Sequence, residues 1–337
     1  MLNHLRTTVA AGLAAAAMVS PAGAEETKLI FATTDVPTAH LNVEFMHPWA
    51  ERITAQGKGL VAVDVRDGPT VANHTNFFDR VQNDVIQIGW GLHAAVSGKF
   101  PRTQVANVPL IADKSEYGSV ALMRLYKSGV FDAEYNDTVP LVYVMFPPAV
   151  LHFRTARSAP DDLKGTKIIA GSRTLSEVVT ALGATPVSII VSEVYPSLQR
   201  ATADGTATTW TAFQPFKLAE VTRYHVETSL GSSTAMIFMA RKRYDALPEA
   251  ARKVIDVNAV EQETRNFGKF WDRVVNDERE KTRALPDHTV VTPSPEIQAR
   301  WRQAMSGIEA EWIKNTPDGD KVMARYRAVL KELMAGS

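Results

Sequence analysis

Between Pro160 and Gly205 the hydrophobic pattern changes period several times within 46 residues, giving strand, turn, helix, strand, helix, strand. Lys167 to Ile169 is a short apolar run, Thr174 to Leu182 has helical spacing, Thr185-Pro-Val187 is extended, and a second short helical pattern ends near Gln199. Gly165, Gly183 and Gly205 punctuate the changes. Parallel strands cannot be joined by tight turns and need crossover helices, which then cover the sheet faces. A chain written this way is confined to the α/β class.

The same alternation runs through the rest of the sequence. Lys28 to Thr33, Leu60 to Val65, Val85 to Trp90, Pro140 to Phe146, Val150 to Phe153 and Ser233 to Met239 read as strands. Helical spacing lies between them, through Val43, Met46, Trp49, Ala50 and Ile53, and again through Phe77, Phe78, Val81 and Gln82. Pro248 to Pro286 has no internal proline and carries apolar positions on a strongly charged background. As one helix it would be about 55 Å long and would have to bridge two domains. Gly268 or Asn266 could kink it; two helices broken near Asn266 are the alternative. Two more helices are expected over Pro295 to Asn315 and Asp318 to Met334.

The first residues have the layout of a secretory signal peptide: basic His4 and Arg6, an apolar run from Val9 to Val19, and Ala22-Gly23-Ala24 before Glu25. Cleavage is expected after Ala24. The mature chain of roughly 310 residues exceeds the size at which single cores stop growing, so two domains are expected. With no cysteine, neither disulfides nor a lipid-bearing cysteine anchor is available. The formal charge of +0 becomes −1 once Arg6 is removed, and so even a balance argues against a nucleic-acid partner.

Catalytic and cofactor patterns were not found. The eight histidines show no one-turn pair of the kind that binds zinc on a helix, and neither a Gly-x-Ser-x-Gly elbow nor a P-loop occurs. No metal and no cofactor are expected. Gly89-Trp-Gly-Leu-His-Ala94 matches the loose dinucleotide fingerprint, but Gly98 and Pro101 leave only about two turns for the helix it needs. Its glycines are read as a crevice loop, with Trp90 either in the core or facing a ligand.

Several motifs together resemble the solute-binding proteins of tripartite ATP-independent periplasmic (TRAP) transporters, the DctP-like family. They are Asp79 to Ile88, Phe100-Pro101, Val108-Pro109-Leu110, Pro160 to Ile168, Leu182 to Val187, Ser192 to Gln199, Ala203 to Gly205 and Arg243 to Glu249. The resemblance implies a two-lobed periplasmic-binding-protein clamshell, type II-like, with a long helix bridging the lobes. It places residues 25–148 plus 235–274 in lobe I and 149–234 plus 275–337 in lobe II. It also implies a receptor, not an enzyme, that encloses an organic acid by hinge closure and delivers it to TRAP membrane subunits.

The chain departs from the family at one informative position. The family's carboxylate-clamping arginine falls at Ile169, and a second arginine found in some members aligns near Leu151. Two replacements are open. Arg173, with Ser172 and the start of a helix, could hold an anion; Arg154 could reach the cleft from the neighbouring strand. Trp90, Phe153, Trp210 and Phe213 are aromatic candidates, either for the ligand or for the core. Thr208 takes the place of a family asparagine, and Thr33, Asn73 and Asn76 lie in loops suited to polar contacts. A ligand with an apolar or aromatic part is expected. The rivals are an exported α/β enzyme and a clamshell signalling receptor without a transporter.

Overall fold

The structure is a computed structural model and describes residues 26 to 96 and 98 to 336; the expected signal peptide lies outside them. Two sheets form the frame of two lobes. The first lobe contains β1 (Thr27–Ala32), β2 (Val61–Arg66), β3 (Ile88–Leu92) and β4 (Thr138–Met145). The second contains β5 (Val150–Phe153), β6 (Lys167–Ala170), β7 (Thr185–Val187), β8 (Gly205–Thr208) and β9 (Tyr224–Val226). The chain then returns as β10 (Thr234–Ala240) to the first sheet and crosses again to place β11 (Thr289–Val291) in the second. The strand orders are β2-β1-β3-β10-β4 and β11-β9-β5-β8-β6-β7. All eight residues of β4 and all seven of β10 are buried, as expected of strands covered on both faces.

Helices α1 (His47–Gly57), α2 (Phe77–Gln82) and α3 (Ser115–Lys127) clothe the first sheet. Helices α4 (Arg173–Ala181), α5 (Val194–Gln199) and α6 (Phe213–Phe216) belong to the second lobe. After β10 come α7 (Arg241–Asp245), α8 (Glu249–Val257) and the 23-residue α9 (Glu261–Arg283). The single helix expected over 248–286 is therefore two, and the break is at Asn258, not near Asn266. Asn258 is buried and saturated with hydrogen bonds: its carbonyl accepts from Trp49 Nε1 (3.0 Å), its Oδ1 from Arg52 Nε (3.1 Å), and its amide donates to Val254 O (2.9 Å) and Gln56 Oε1 (2.7 Å). Those bonds stop α8 and anchor the turn to α1.

No kink is needed at Gly268, because this glycine lets two helices touch. A Cβ there would sit 2.4 Å from Glu116 Cα in the first turn of α3. Four residues on, Asp272 closes that contact by accepting from the backbone N–H groups of Ser115 (2.7 Å) and Glu116 (3.1 Å), so α9 caps α3. Along its other face α9 buries Phe267, Phe270, Trp271 and Val274 in the first lobe's core, each worth about 1.5–3 kcal/mol. Phe267 stacks on Phe45 with centroids 3.9 Å apart. The helix end reaches the other lobe: Val275 packs there, and Arg279 lies 3.5 Å from Glu227.

Two extended segments also join the lobes and run side by side. Phe146 N donates to Ser233 O (2.8 Å), Ala149 N to Gly231 O (2.8 Å) and Leu230 N to Ala149 O (3.0 Å). These paired segments are the connection, or hinge, between the lobes. The last part of the chain divides between the lobes. Helix α10 (Pro295–Ala304) buries Trp301 in the second lobe; after α11 (Ile308–Asn315), helix α12 (Gly319–Ala335) buries Val322, Met323, Tyr326, Val329 and Leu330 against the first. Helix α12 thus belongs with lobe I and not, as expected of all of 275–337, with lobe II. The apolar face of α12 packs with α3 in the first lobe's core.

Candidate ligand site between the lobes

Both sheets direct the carboxyl ends of their parallel strands at the same cleft, where ligands bind in open α/β folds. A cavity of about 280 Å³ lies there, walled by both lobes. From the first lobe come Asp35 after β1, His74 after β2, Trp90 of β3, Phe146 of the hinge and Trp271 of α9. From the second come Ile169 and Gly171 at the end of β6, Ile190 after β7, and Thr208 and Thr209 at the end of β8. The three large rings form one continuous wall, with centroids 6.1 Å apart for Trp90 and Phe146 and 4.9 Å apart for Phe146 and Trp271.

The polar inventory is unusual for an anion site. Among the described residues no lysine or arginine lines the cavity, while one carboxyl group does. Burial raises the Asp35 pKa above the ordinary aspartate range, an effect partly opposed by His74 and by a hydrogen bond from the Trp90 side chain. Nearby Asp67 is occupied elsewhere, accepting from Thr33 Oγ1 (3.0 Å) and lying 2.9 Å from His47 Nε2. His40, on the rim, is held by Glu44 (2.8 Å). Two buried nitrogens have no hydrogen-bond partner among the described residues: Trp271 Nε1, a donor, and His74 Nδ1, which donates or accepts according to its tautomer.

Three of the residues named from the sequence line this cavity: Trp90, Ile169 and Thr208. The two candidate replacement arginines do not. Arg173 is the first residue of α4, and because that helix turns Leu175, Val178 and Val179 inward, its side chain projects to solvent, 77% exposed, and pairs with Glu177 (2.8 Å). Ser172 is the N-cap, its Oγ accepting from Leu175 N (3.2 Å). Arg154 is exposed just beyond β5. Phe153 is core, since alternation turns it under the sheet among Leu163, Ile168 and Val178. Thr33 is buried on Asp67. Asn73 and Asn76 stabilise their own turn, Asn76 Oδ1 accepting from Asn73 N (2.8 Å) and Asn73 Oδ1 from Thr75 N (2.9 Å); it is His74 between them that faces the cavity.

Trp210 and Phe213 point away from the cleft and enclose a chain of three histidines. His152 Nδ1 lies 3.0 Å from His225 Nδ1, His225 Nε2 lies 3.0 Å from His288 Nδ1, and His152 Nε2 lies 3.2 Å from the carbonyl of Thr208. A carbonyl only accepts, so His152 donates from Nε2 and accepts at Nδ1 from His225, which in turn accepts from His288. The rings of Trp210 and Phe213 pack 4.7 and 4.6 Å from that of His152.

The dinucleotide-like glycines also have a packing role. They lie within β3 and not in a loop; a Cβ on Gly91 would come 2.2 Å from the Phe77 ring, so the strand needs glycine for α2 to lie against it. The signal that could have found Asp35 and His74 was positional: each follows the carboxyl end of a parallel strand.

The model of the family described as bacterial extracellular solute-binding protein, family 7, matches residues 31–315. The chain belongs to this family. Its members are solute receptors and not enzymes, and the TRAP solute-binding proteins among them are periplasmic. The receptor is 26% identical over 267 residues to the outer membrane transporter protein TsaT of Comamonas testosteroni, covering 76% of each chain. It is 24% identical over 224 residues to the C4-dicarboxylate-binding periplasmic protein DctP of Rhodobacter capsulatus, covering 65% of this chain and 63% of that one. Among solved structures, a TRAP solute-binding protein of an unidentified marine microbe, specific for aromatic acid ligands and holding metahydroxyphenylacetate, superposes with a TM-score of 0.85 at 25% identity, covering 91% of this chain and 99% of that one. A TRAP solute-binding protein of Rhodoferax ferrireducens with copurified benzoate gives 0.86 at 22% identity over 92% and 100% of the two chains, a likeness of fold. The two-lobed clamshell is thus the fold of a TRAP solute-binding protein.

Proposed function

We propose that this chain is exported by cleavage after Ala24, captures a small, largely apolar organic acid in the periplasm by closing its lobes, and delivers it to TRAP membrane subunits. The aromatic wall of Trp90, Phe146 and Trp271 carries the reading, because a planar ring fills such a wall with little entropy loss. The marine protein that is specific for aromatic acids supports it. Where the resemblance expects an arginine the cavity presents Ile169, so the carboxylate is held by neutral donors: the hydroxyls of Thr208 and Thr209 and the indole N–H of Trp271. Hydrogen bonds to a charged group contribute about 1.5–3 kcal/mol each, so two or three offset the several kcal/mol that an unpaired buried carboxylate costs.

One observation favours a second reading. Among the described residues Asp35 is the one acidic side chain of the lining and neither lysine nor arginine stands there, so a neutral or cationic aromatic would meet no like charge. A thermal-shift screen of the mature protein over aromatic acids, aliphatic mono- and dicarboxylates, and aryl amines separates the two. Stabilisation by aromatic monocarboxylates is expected; stabilisation by amines alone would replace the acid with a cation.

A further inference from the structure

We propose that Asp35 selects for ligands whose ring bears a hydrogen-bond donor, so that the preferred solute is a hydroxy- or amino-substituted aromatic acid. The inference rests on the cavity being the ligand site, but not on the ligand's being an acid. Asp35 is held rigidly: its carbonyl accepts from Gly68 N (2.8 Å) and from Asn42 Nδ2 (3.0 Å), fixing the loop after β1. Its carboxyl group meets no arginine or lysine in the described lining; His74 lies close enough to oppose the effect of burial in part, and the Trp90 side chain donates to it. A carboxylate has about four acceptor positions, and one indole leaves most of them open.

When the lobes close and water leaves, those positions need donors. An acceptor left without one is unfavourable, and a charged one more so. The upward push of burial on the Asp35 pKa is the same deficit seen from the protein side. Among the described residues neither arginine nor lysine lines the cavity, and His74 offsets the cost of burying Asp35 only in part. The donors proposed for the ligand carboxylate at Thr208 and Thr209 stand on the second lobe, whereas Asp35 stands on the first. A ring between them would present its carboxylate to one wall and its hydroxyl or amino group to the other.

Titration calorimetry of the mature protein tests this with benzoate, its three hydroxy isomers, their methyl ethers and the aminobenzoates. At least one hydroxy or amino isomer should bind tenfold or more tightly than both benzoate and its ether. In Asp35→Ala that advantage should fall to twofold or less, with the circular dichroism spectrum unchanged. Hydroxy and methoxy ligands within twofold of each other, or an advantage that survives in Asp35→Ala, would overturn the proposal. If only phenols and anilines lacking a carboxylate bind, and do so through Asp35, the acid reading fails and this one stands. If neither set binds, both fail.

Discussion

Acidifying the receptor from pH 7 to pH 5 should remove a large part of its stability through buried imidazoles in both lobes. Burial pushes the pKa of His225 down to about 3 and that of His93 to about 4, and lowers His152 well below the usual 6.5. Each is neutral in the folded chain and takes up a proton on unfolding. Their stabilising contribution is therefore complete above about pH 6.5 and is lost progressively as pH falls from there toward the folded values. At 1.36 kcal/mol per unit of separation, one such histidine loses about 2 kcal/mol between pH 7 and pH 5. Three together lose about 5 to 6 kcal/mol, comparable with the whole stability of many domains. Asp35, Glu134 and Asp272, whose carboxyls burial raises, act in the opposite direction, so the net loss will be smaller. The difference between parent and His225→Gln isolates one member, since glutamine takes up no proton. Urea unfolding at pH 7, 6 and 5 should show the variant losing about 2 kcal/mol less than the parent over that interval. Equal losses would refute a neutral buried His225.

Two further outcomes follow from the placement of particular residues. Arg173→Ala should leave ligand affinity within twofold in calorimetry and stability within about 0.5 kcal/mol, since the side chain stands in solvent beside Glu177. Gly268→Val should force α9 away from α3, strain the capping of Ser115 and Glu116 by Asp272, and cost about 1–3 kcal/mol or more in thermal unfolding, because a Cβ there meets backbone and not a movable side chain.

Local pattern located most elements closely. The strand expected from Val150 to Phe153 has those limits, and the run from Lys167 is a strand that extends to Ala170. What local pattern misjudged depended on distant partners. Asn258 ends α8 because Trp49 and Arg52 hold it, and these lie some two hundred residues away in the chain. Helix α12 has an apolar face in any reading, but only its packing with α3 decides which lobe receives it. At the site, Arg173 attracted attention as a charge beside the vacated arginine position, yet helix geometry turns it outward. Phe153, Trp210 and Phe213 stood open between ligand and core, and packing put them in cores.

By itself the sequence determined the α/β class, the alternation that builds two sheets, the helix that bridges them and the family, because each is written in local period and in ordered motifs. It also showed that the arginine position holds Ile169. Tertiary structure alone decided what the cleft contains. Asp35, His74, Trp90, Phe146 and Trp271 come from five separate segments, and His152, His225 and His288 look scattered until three neighbouring segments of the second lobe bring them into contact. A cavity's charge is a sum over side chains that share a space, and that space exists only after strand order and helix packing have assigned each side chain a direction.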